Sequence, residues 1–533
     1  MSKDHEYLYP YSAQEAKKRN QLPMWRESYH ANVACRNAIE ETIRQNFNGM
    51  NLKKDCLEPV LAEYGYKRTE WVLATTLQEL SWDGRFSRAN KQWAARRYIP
   101  QDERHNAEIT VRSHPAILDG FVDLYRKAYQ KLWLFGSTFG RRFADNPRYL
   151  YLYVSQHSDR ASDRVKQQMA KWQAAGHAYA EDENCKDIRA VWITHKKEIA
   201  AFLMEEGYEA YYYHSLKGIY LALRAGIYIY DNYSKDINFW QSGGAVKFNL
   251  WHGIPLKKIQ HDNIHDWYRH PKNAWEKFLC FPRNLSDEKP GDYVLTTAKA
   301  MKGIFQSAFR TKRVVPAGYP RVDSIAYDTI QNIRMPEEKK ALRKITKRKE
   351  QLGCQKVLLY MPTFRDSETE FFSRVDPKRL EQFLEKEQLL FCIKPHSKSK
   401  ETAYYKAFCQ EHMVYLDAEF DPYLFLKHAD LLITDYSSIY FDYLFLDRPI
   451  VFFNYDMQQY LKDSREFYFE YEEMTPGRHV KTEETLLEGI RQSLGEPQEY
   501  AALRSEVKQK VYDERTHMIC KRLVRVMRKK MLG

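Results

Sequence analysis

Twice along this chain, short apolar runs alternate with amphipathic stretches of helical spacing. That double alternation restricts the possible folds more than any other feature. The first series is KLWLFG (131–136), AVWITH (190–195), AYYYHS (210–215), AVKFNLWHG (245–253) and YVLTTA (293–298). The second is KVLLYMP (356–362), LLFCIKP (389–395), MVYL (413–416), DLLITD (430–435) and PIVFFNY (449–455). Runs that are apolar on both faces suit strands of a parallel sheet covered by helices, with the intervening segments as crossovers. The expected fold is therefore α/β, a pair of Rossmann-type αβα domains facing a cleft. Ligands should sit beyond the C-terminal ends of the strands.

At 533 residues the chain exceeds one ordinary core. Residues 1–128 read as a small, mainly helical accessory domain, with apolar spacing of helical period in 25–47, 57–65, 69–82 and 115–130. Asp83 and Arg85, in SWDGRFSR, read as a structural turn. The first αβα domain spans 129–330 and closes at KRVVPAGYPRVDS (312–324). The charged stretch 335–350 opens the second, 331–500, in which 376–388 and 421–429 read as helices. Residues 501–533 form a basic, amphipathic helical tail.

The formal charge of +13 favours anionic partners. No apolar run is long enough to span a bilayer, and the N-terminus has no signal-peptide core. Eight scattered cysteines fit a reducing cytoplasm better than a disulfide framework. Phosphate-binding P-loop, dinucleotide, zinc-protease and calcium-loop motifs are absent, so neither a metal nor a cofactor is expected. No nucleic-acid-binding signature occurs, and no nucleic-acid partner is expected.

Four expected strand exits carry polar residues. His252 follows AVKFNL, with Gly253 allowing close backbone approach, Pro255 stiffening the turn, and Lys257 and Lys258 beyond. A histidine there can accept a proton near neutral pH, or merely close a loop. Thr363 and Arg365 follow KVLLY; the arginine fork matches phosphate oxygens, and equally a surface ion pair. Lys394 and His396 follow LLFCI. Asp435 ends DLLIT, and Ser437 or Ser438 can cap the helix IYFDYLFL or offer its N–H groups to a phosphate. Cationic and proton-carrying groups at several exits together indicate an anion site.

With these motifs in place, residues 131–500 resemble the CDP-glycerol glycerophosphotransferases, the teichoic-acid primases and polymerases of GT-B-like fold. The resemblance rests on WLFGSTFGRRFADNPRYLY (133–151), YYYHSLKGIYLALRAG (211–226), NLWHGIPLKKI (249–259), GYPRVD (318–323), PTFRD (362–366), KPH (394–396) and TDYSSIYFDY (434–443). It implies His252 as catalytic base, and Arg365 and His396 on the donor's phosphates, with His396 also serving chemistry. It further implies Ser437 and Ser438 at the diphosphate, Asp435 ordering that turn, and Asp262 orienting the base. Where relatives often carry Thr, this chain has Ile254. The implied donor is CDP-glycerol, with CDP-ribitol as the alternative and a nucleotide-sugar glycosyltransferase as the rival activity. The acceptor would be a polyol phosphate or lipid-linked. Residues 1–128 resemble a small domain of unknown function found in gut Firmicutes proteins.

Between Lys508 and Lys530 lie nine Lys or Arg against Asp513 and Glu514, with Ile519, Leu523, Val526 and Met527 near one helical face. Such a helix can lie on an anionic leaflet or dock across the two domains. The expected location is cytoplasmic, peripheral on the inner face of the cell membrane.

Overall fold

Seven parallel strands make the first sheet and six the second, where the alternation predicts five in each. The structure, a computed structural model, describes residues 131–177, 181–287, 291–365, 369–399, 401–458, 460, 466–514 and 516–531, with short pieces between 31 and 64. The chain divides into two units, residues 1–130 with 243–245 and residues 131–242 with 246–533. In the first unit, residues 34–39 and Glu58–Tyr64 are helical. The helices expected at 69–82 and 115–130, and the turn at Asp83 and Arg85, lie outside the described residues.

The second unit holds both sheets. β1 (Leu132–Phe135), β2 (Arg189–Thr194), β3 (Ala210–Tyr212), β4 (Ile227–Tyr230), β5 (Val246–Asn249), β6 (Tyr293–Thr296) and β7 (Val314–Pro316) run in the order β3-β2-β1-β4-β5-β6-β7. β8 (Lys356–Met361), β9 (Leu389–Ile393), β10 (Met413–Tyr415), β11 (Leu431–Thr434), β12 (Ile450–Phe453) and β13 (Arg478–Val480) run β10-β9-β8-β11-β12-β13. Every strand pair is parallel, with Trp133 opposite Ile227 and Leu431 opposite Leu358 at the two centres. In each sheet the strand order reverses beside the first strand, between β1 and β4 and between β8 and β11. Those reversals open the crevices where the following loops diverge.

Helices cover the sheets. α1 (Asp145–Gln156) is buried along nearly its whole length. α2 (Asp163–Ala174) starts at Ser162, whose side chain accepts from the Val165 N–H. α3 (Ala274–Asp287) lies before β6. α4 (Pro336–Gln351) begins at a proline, its Glu338 carboxylate accepts the Met335 N–H at 2.8 Å, and Arg348 and Lys349 close it. Proline and acid at the start, with base at the end, suit the helix ends. α5 (Ile439–Tyr443) and α6 (Ile519–Met531) complete the elements used below.

Three expectations are corrected here. The stretch 421–429 forms two 3₁₀ turns, Pro422–Leu424 and Leu426–His428, instead of an α-helix. The helix after DYSS is α only through Tyr443 and then tightens to 3₁₀ at Leu444–Leu446. The tail is two helices, Ala501–Val511 and α6, and the apolar face of α6 is not available to a bilayer. Ile519, Cys520, Leu523, Val524 and Met527 are fully buried. Asp323 accepts the Ile519 and Cys520 N–H groups at 2.9 and 2.7 Å, and Arg522 donates to the Ala317 carbonyl. The tail thus docks across both domains, Arg504 holding Asp447 of the second at 2.8 Å, while Asp323 of the first caps α6.

Candidate active site

On the first-domain side, three loops meet where the strand order reverses. After β1 the backbone turns through positive φ at Thr138, Phe139 and Gly140. Carboxylates hold this costly turn. Ser137 Oγ donates to Asp231 Oδ2 at 2.6 Å, the Thr138 N–H to Asp231 Oδ1 at 2.9 Å, and the Phe139 N–H to Asp236 Oδ1 at 2.8 Å. Burial pushes the Asp231 carboxyl well above the usual range, with Asp236 adding repulsion, and pushes Asp236 up to about 6.

The same Asp231 presents its backbone carbonyl to Nδ1 of His252 at 3.2 Å. A carbonyl oxygen only accepts, so this bond puts the proton on Nδ1 and the basic lone pair on Nε2. His252 itself is exposed. Its loop is fixed on both sides. Trp251 takes φ 52°, its N–H donates to Asn249 Oδ1, and its carbonyl accepts from Asn146 Nδ2, both at 2.8 Å. Tyr319 OH donates to the Gly253 carbonyl at 2.9 Å and Arg321 to the His252 carbonyl at 3.0 Å.

Arg321 reaches further. Its guanidinium, fully buried, grips Asp442 of α5 at 3.0 and 2.8 Å and Asp145 at 2.5 Å. Burial pushes the Asp145 carboxyl up to about 7, against the pull of Arg321. One arginine therefore ties the histidine loop of the first domain to the helix that follows DYSS in the second.

On the second-domain side, Asp435 accepts the Thr363 N–H at 2.9 Å and the Tyr436 N–H at 2.6 Å, and pairs with Arg365 at 2.7 Å. Arg365 also holds Asp456 through two bonds of 2.5 and 2.9 Å. Its fork is thus engaged by two carboxylates, a clamp on the loops after β8, β11 and β12. Thr363 is buried, with no hydrogen-bond partner for its hydroxyl among the described residues. Lys394 is also buried, donating to the Pro395 and Ala418 carbonyls, and burial lowers it to about 7. His396, half-buried, is lowered to about 3, chiefly by burial and then by Lys394 and Lys398, with Lys257 and His252 contributing. It is a neutral imidazole at physiological pH. Ser438 stands at the N-cap position of α5 but makes no side-chain cap bond, contrary to the capping expected.

The histidine loop and the serine turn meet at Gly253. A methyl group at Gly253 would lie 2.8 Å from Ser438 Oγ. The histidine loop therefore abuts the serine turn, and the field of His252 and Lys257 is felt at His396. Asp262 lies farther along, accepting from Ser307 Oγ and Tyr468 OH, both at 2.6 Å. The carbonyl of Asp231 is what the His252 ring meets. Lys257 bonds Tyr460 OH at 2.9 Å and Lys258 pairs with Glu466, so both lysines bridge to the second domain.

Residues 161–528 match the family described as CDP-glycerol:poly(glycerophosphate) glycerophosphotransferase. Residues 8–130 match a family described as a protein of unknown function, DUF3849. The chain is 27% identical over 382 residues to a teichoic acid poly(glycerol phosphate) polymerase of Bacillus spizizenii, covering 68% of this chain and 84% of that protein. It is 25% identical over 405 residues to a teichoic acid glycerol-phosphate transferase of Staphylococcus aureus, covering 74% and 92%. Among solved structures, the wall teichoic acid polymerase TagF aligns with a TM-score of 0.53 at 21% identity, over 80% of this chain and 97% of that one. That likeness speaks to the fold, a GT-B-like pair of α/β domains with parallel sheets.

Proposed function

The chain belongs to the CDP-glycerol:poly(glycerophosphate) glycerophosphotransferase family, and from that premise we propose that it transfers glycerol phosphate from CDP-glycerol to a polyol-phosphate or lipid-linked acceptor. An acceptor hydroxyl oxygen attacks the β-phosphorus, the bond from that phosphorus to the bridging oxygen breaks, and CMP leaves with the electron pair. His252 takes the hydroxyl proton on Nε2. The diphosphate lies against Ser437, Ser438 and the N–H groups of their turn. Arg365, clamped by Asp435 and Asp456, fixes the loops that face it, and neutral His396 donates a hydrogen bond to it. Asp262 steadies the loop that carries the base.

The observation that carries this reading is the contact of Gly253 with Ser438, which sets an exposed, tautomer-fixed histidine beside an uncapped serine turn. The test offers purified protein CDP-glycerol, CDP-ribitol or a UDP-sugar with a defined lipid-linked acceptor, and reads CMP release and product mass. CDP-glycerol is expected to turn over. His252→Ala should lower the rate about 10²–10⁴-fold while donor binding persists. Turnover with CDP-ribitol alone would reassign the donor. Turnover with a UDP-sugar alone, or full activity in the variant, would sink the proposal.

The chain is also proposed to rest on the anionic inner face of the cell membrane, through the α3 region instead of the tail. Trp275, Phe278 and Phe281 are 67%, 68% and 61% exposed there, Trp267 and Leu279 are exposed too, and Lys272, Lys277 and Arg283 lie among them. Aromatic side chains interleaved with basic ones suit a charged lipid interface.

A further inference from the structure

Two carboxyl groups, those of Asp231 and Asp236, meet beside the turn that follows β1, and both are buried. Neither makes an ion pair among the described residues, and two like charges would repel strongly in such a setting. The pair therefore shares a proton. Its neighbours show where that proton sits. Both oxygens of Asp236 face backbone N–H groups, which only donate: Phe139 on Oδ1 at 2.8 Å, Asn232 and Tyr233 on Oδ2 at 2.8 and 3.3 Å. Oδ1 of Asp231 is likewise taken by donors, the Thr138 N–H at 2.9 Å and Asn232 Nδ2 at 2.8 Å. Oδ2 of Asp231 meets a hydroxyl, Ser137 Oγ, at 2.6 Å. A hydroxyl accepts as readily as it donates. With Oδ2 protonated the contact persists in the reverse direction, and Ser137 turns its own hydrogen to Thr138 Oγ1, 3.0 Å away.

Two routes join this pair to the histidine. The direct one is the Asp231 carbonyl, 3.2 Å from Nδ1 of His252. The other runs through Asn232, which donates to both carboxyl groups and whose carbonyl accepts from Asn249 Nδ2 at 3.0 Å. Asn249 Oδ1 in turn takes the Trp251 N–H at 2.8 Å, one residue before the histidine. The backbone around the pair has no slack, since a β-carbon at Gly136 would lie 2.7 Å from the Asp236 carbonyl oxygen.

We propose that Asp231 and Asp236 are a positioning pair for the base. Asp231 carries the shared proton on Oδ2 and Asp236 carries the negative charge. Together they lock the turns after β1 and β4, so that the Asp231 carbonyl stays on Nδ1 of His252. The place of the proton follows from the contacts; the benefit to the base rests on the function proposed above. This arrangement makes the two aspartates unequal. An asparagine at 231 reproduces the protonated acid, its Nδ2 donating to Ser137 Oγ. An asparagine at 236 cannot reproduce a carboxylate. Its Nδ2 must face either the Phe139 N–H or those of Asn232 and Tyr233, donor against donor.

The test measures CMP release from CDP-glycerol by the full chain and its Asp231→Ala, Asp231→Asn and Asp236→Asn variants, and records infrared spectra of the unsubstituted protein and Asp231→Asn at neutral pH. Asp231→Ala and Asp236→Asn should each lower kcat about 10²-fold, with KM for CDP-glycerol held within about two-fold. Asp231→Asn should recover most of the rate that Asp231→Ala loses. The difference spectrum should show one carbonyl band of a protonated carboxylic acid, lost in Asp231→Asn. Equal rates in the two asparagine variants, or a loss confined to KM, would overturn the positioning role. Should Asp236→Asn not fold, equal rates in Asp231→Ala and Asp231→Asn would overturn it instead. A difference spectrum without that band would overturn the place of the proton. Absence of CMP release in the unsubstituted protein would count against the proposed activity, and the infrared comparison, which needs no turnover, would still decide the pair.

Discussion

A β-carbon at Gly253 would lie 2.8 Å from Ser438 Oγ, closer than a β-carbon sits unless that hydroxyl shifts. Gly253→Ala should therefore cost about 1–3 kcal/mol and most of the activity. Adding Ser438→Ala removes the obstructing atom, leaving the next contact at 3.8 Å, and should restore most of the lost stability. Chemical denaturation of the two single variants and the double variant reads this as a coupling energy. At His396, the folded value of about 3 lies below the ordinary 6.5. The unfolded chain therefore takes the proton first as the medium acidifies. This contribution to stability is complete above about pH 6.5 and declines toward pH 3. His396→Asn should remove up to about 2 kcal/mol of the decline seen at pH 5. Stability curves of both proteins measured between pH 5 and 7.5 check it; parallel curves would refute it.

At the scale of elements, the exposed aromatic surface proposed to meet a membrane lies on α3, while the apolar face of α6 is buried. Trp275→Glu with Phe278→Glu should cut binding to anionic vesicles by at least ten-fold without lowering the melting temperature, since both side chains already face outward. Vesicle sedimentation reads the result. The strands were legible because parallel strands buried on both faces leave continuous apolar runs. Three were not. β4, Ile227–Tyr230, follows a helix with almost no connection, and β7 and β13 are edge-side strands of three residues each. His252, Arg365, His396 and the serines do follow strands, as their sequence pattern indicated. That pattern could not disclose that the Arg365 fork is engaged by Asp435 and Asp456, or that Lys394 is buried. Such pairings depend on residues far apart in the chain. Asp231, Asp236, Asp145 and Arg321 escaped for the same reason. A carboxylate after a strand has no local mark, and the arginine of GYPRVD shows its purpose only when Asp442 is opposite it.

For the molecule as a whole, that arginine is the pin between domains. Arg321→Met would leave Asp442, buried, and Asp145, partly buried, without their shared counter-charge, which should cost about 3–5 kcal/mol. Substituting Asp442→Leu as well should cost less than the sum of the two single changes, as denaturation midpoints will show. A second buried arginine, Arg148 on α1, holds Glu338 of α4 at 2.7 Å and the Ile333 carbonyl at 2.5 Å. The two domains are thus fastened on the linker side and at the site.

The docking of α6 has a consequence for biosynthesis. The first domain is made early, yet the helix that covers Asp323 and Gly318 is made only after the whole second domain. Domains generally fold as they emerge, from the N-terminal side. This one can assemble its sheet on the ribosome, but it waits with an open apolar seam until the residues beyond the second domain arrive. A stalled or truncated chain would therefore expose the first domain to chaperones and proteases even when every residue of its sheet is present.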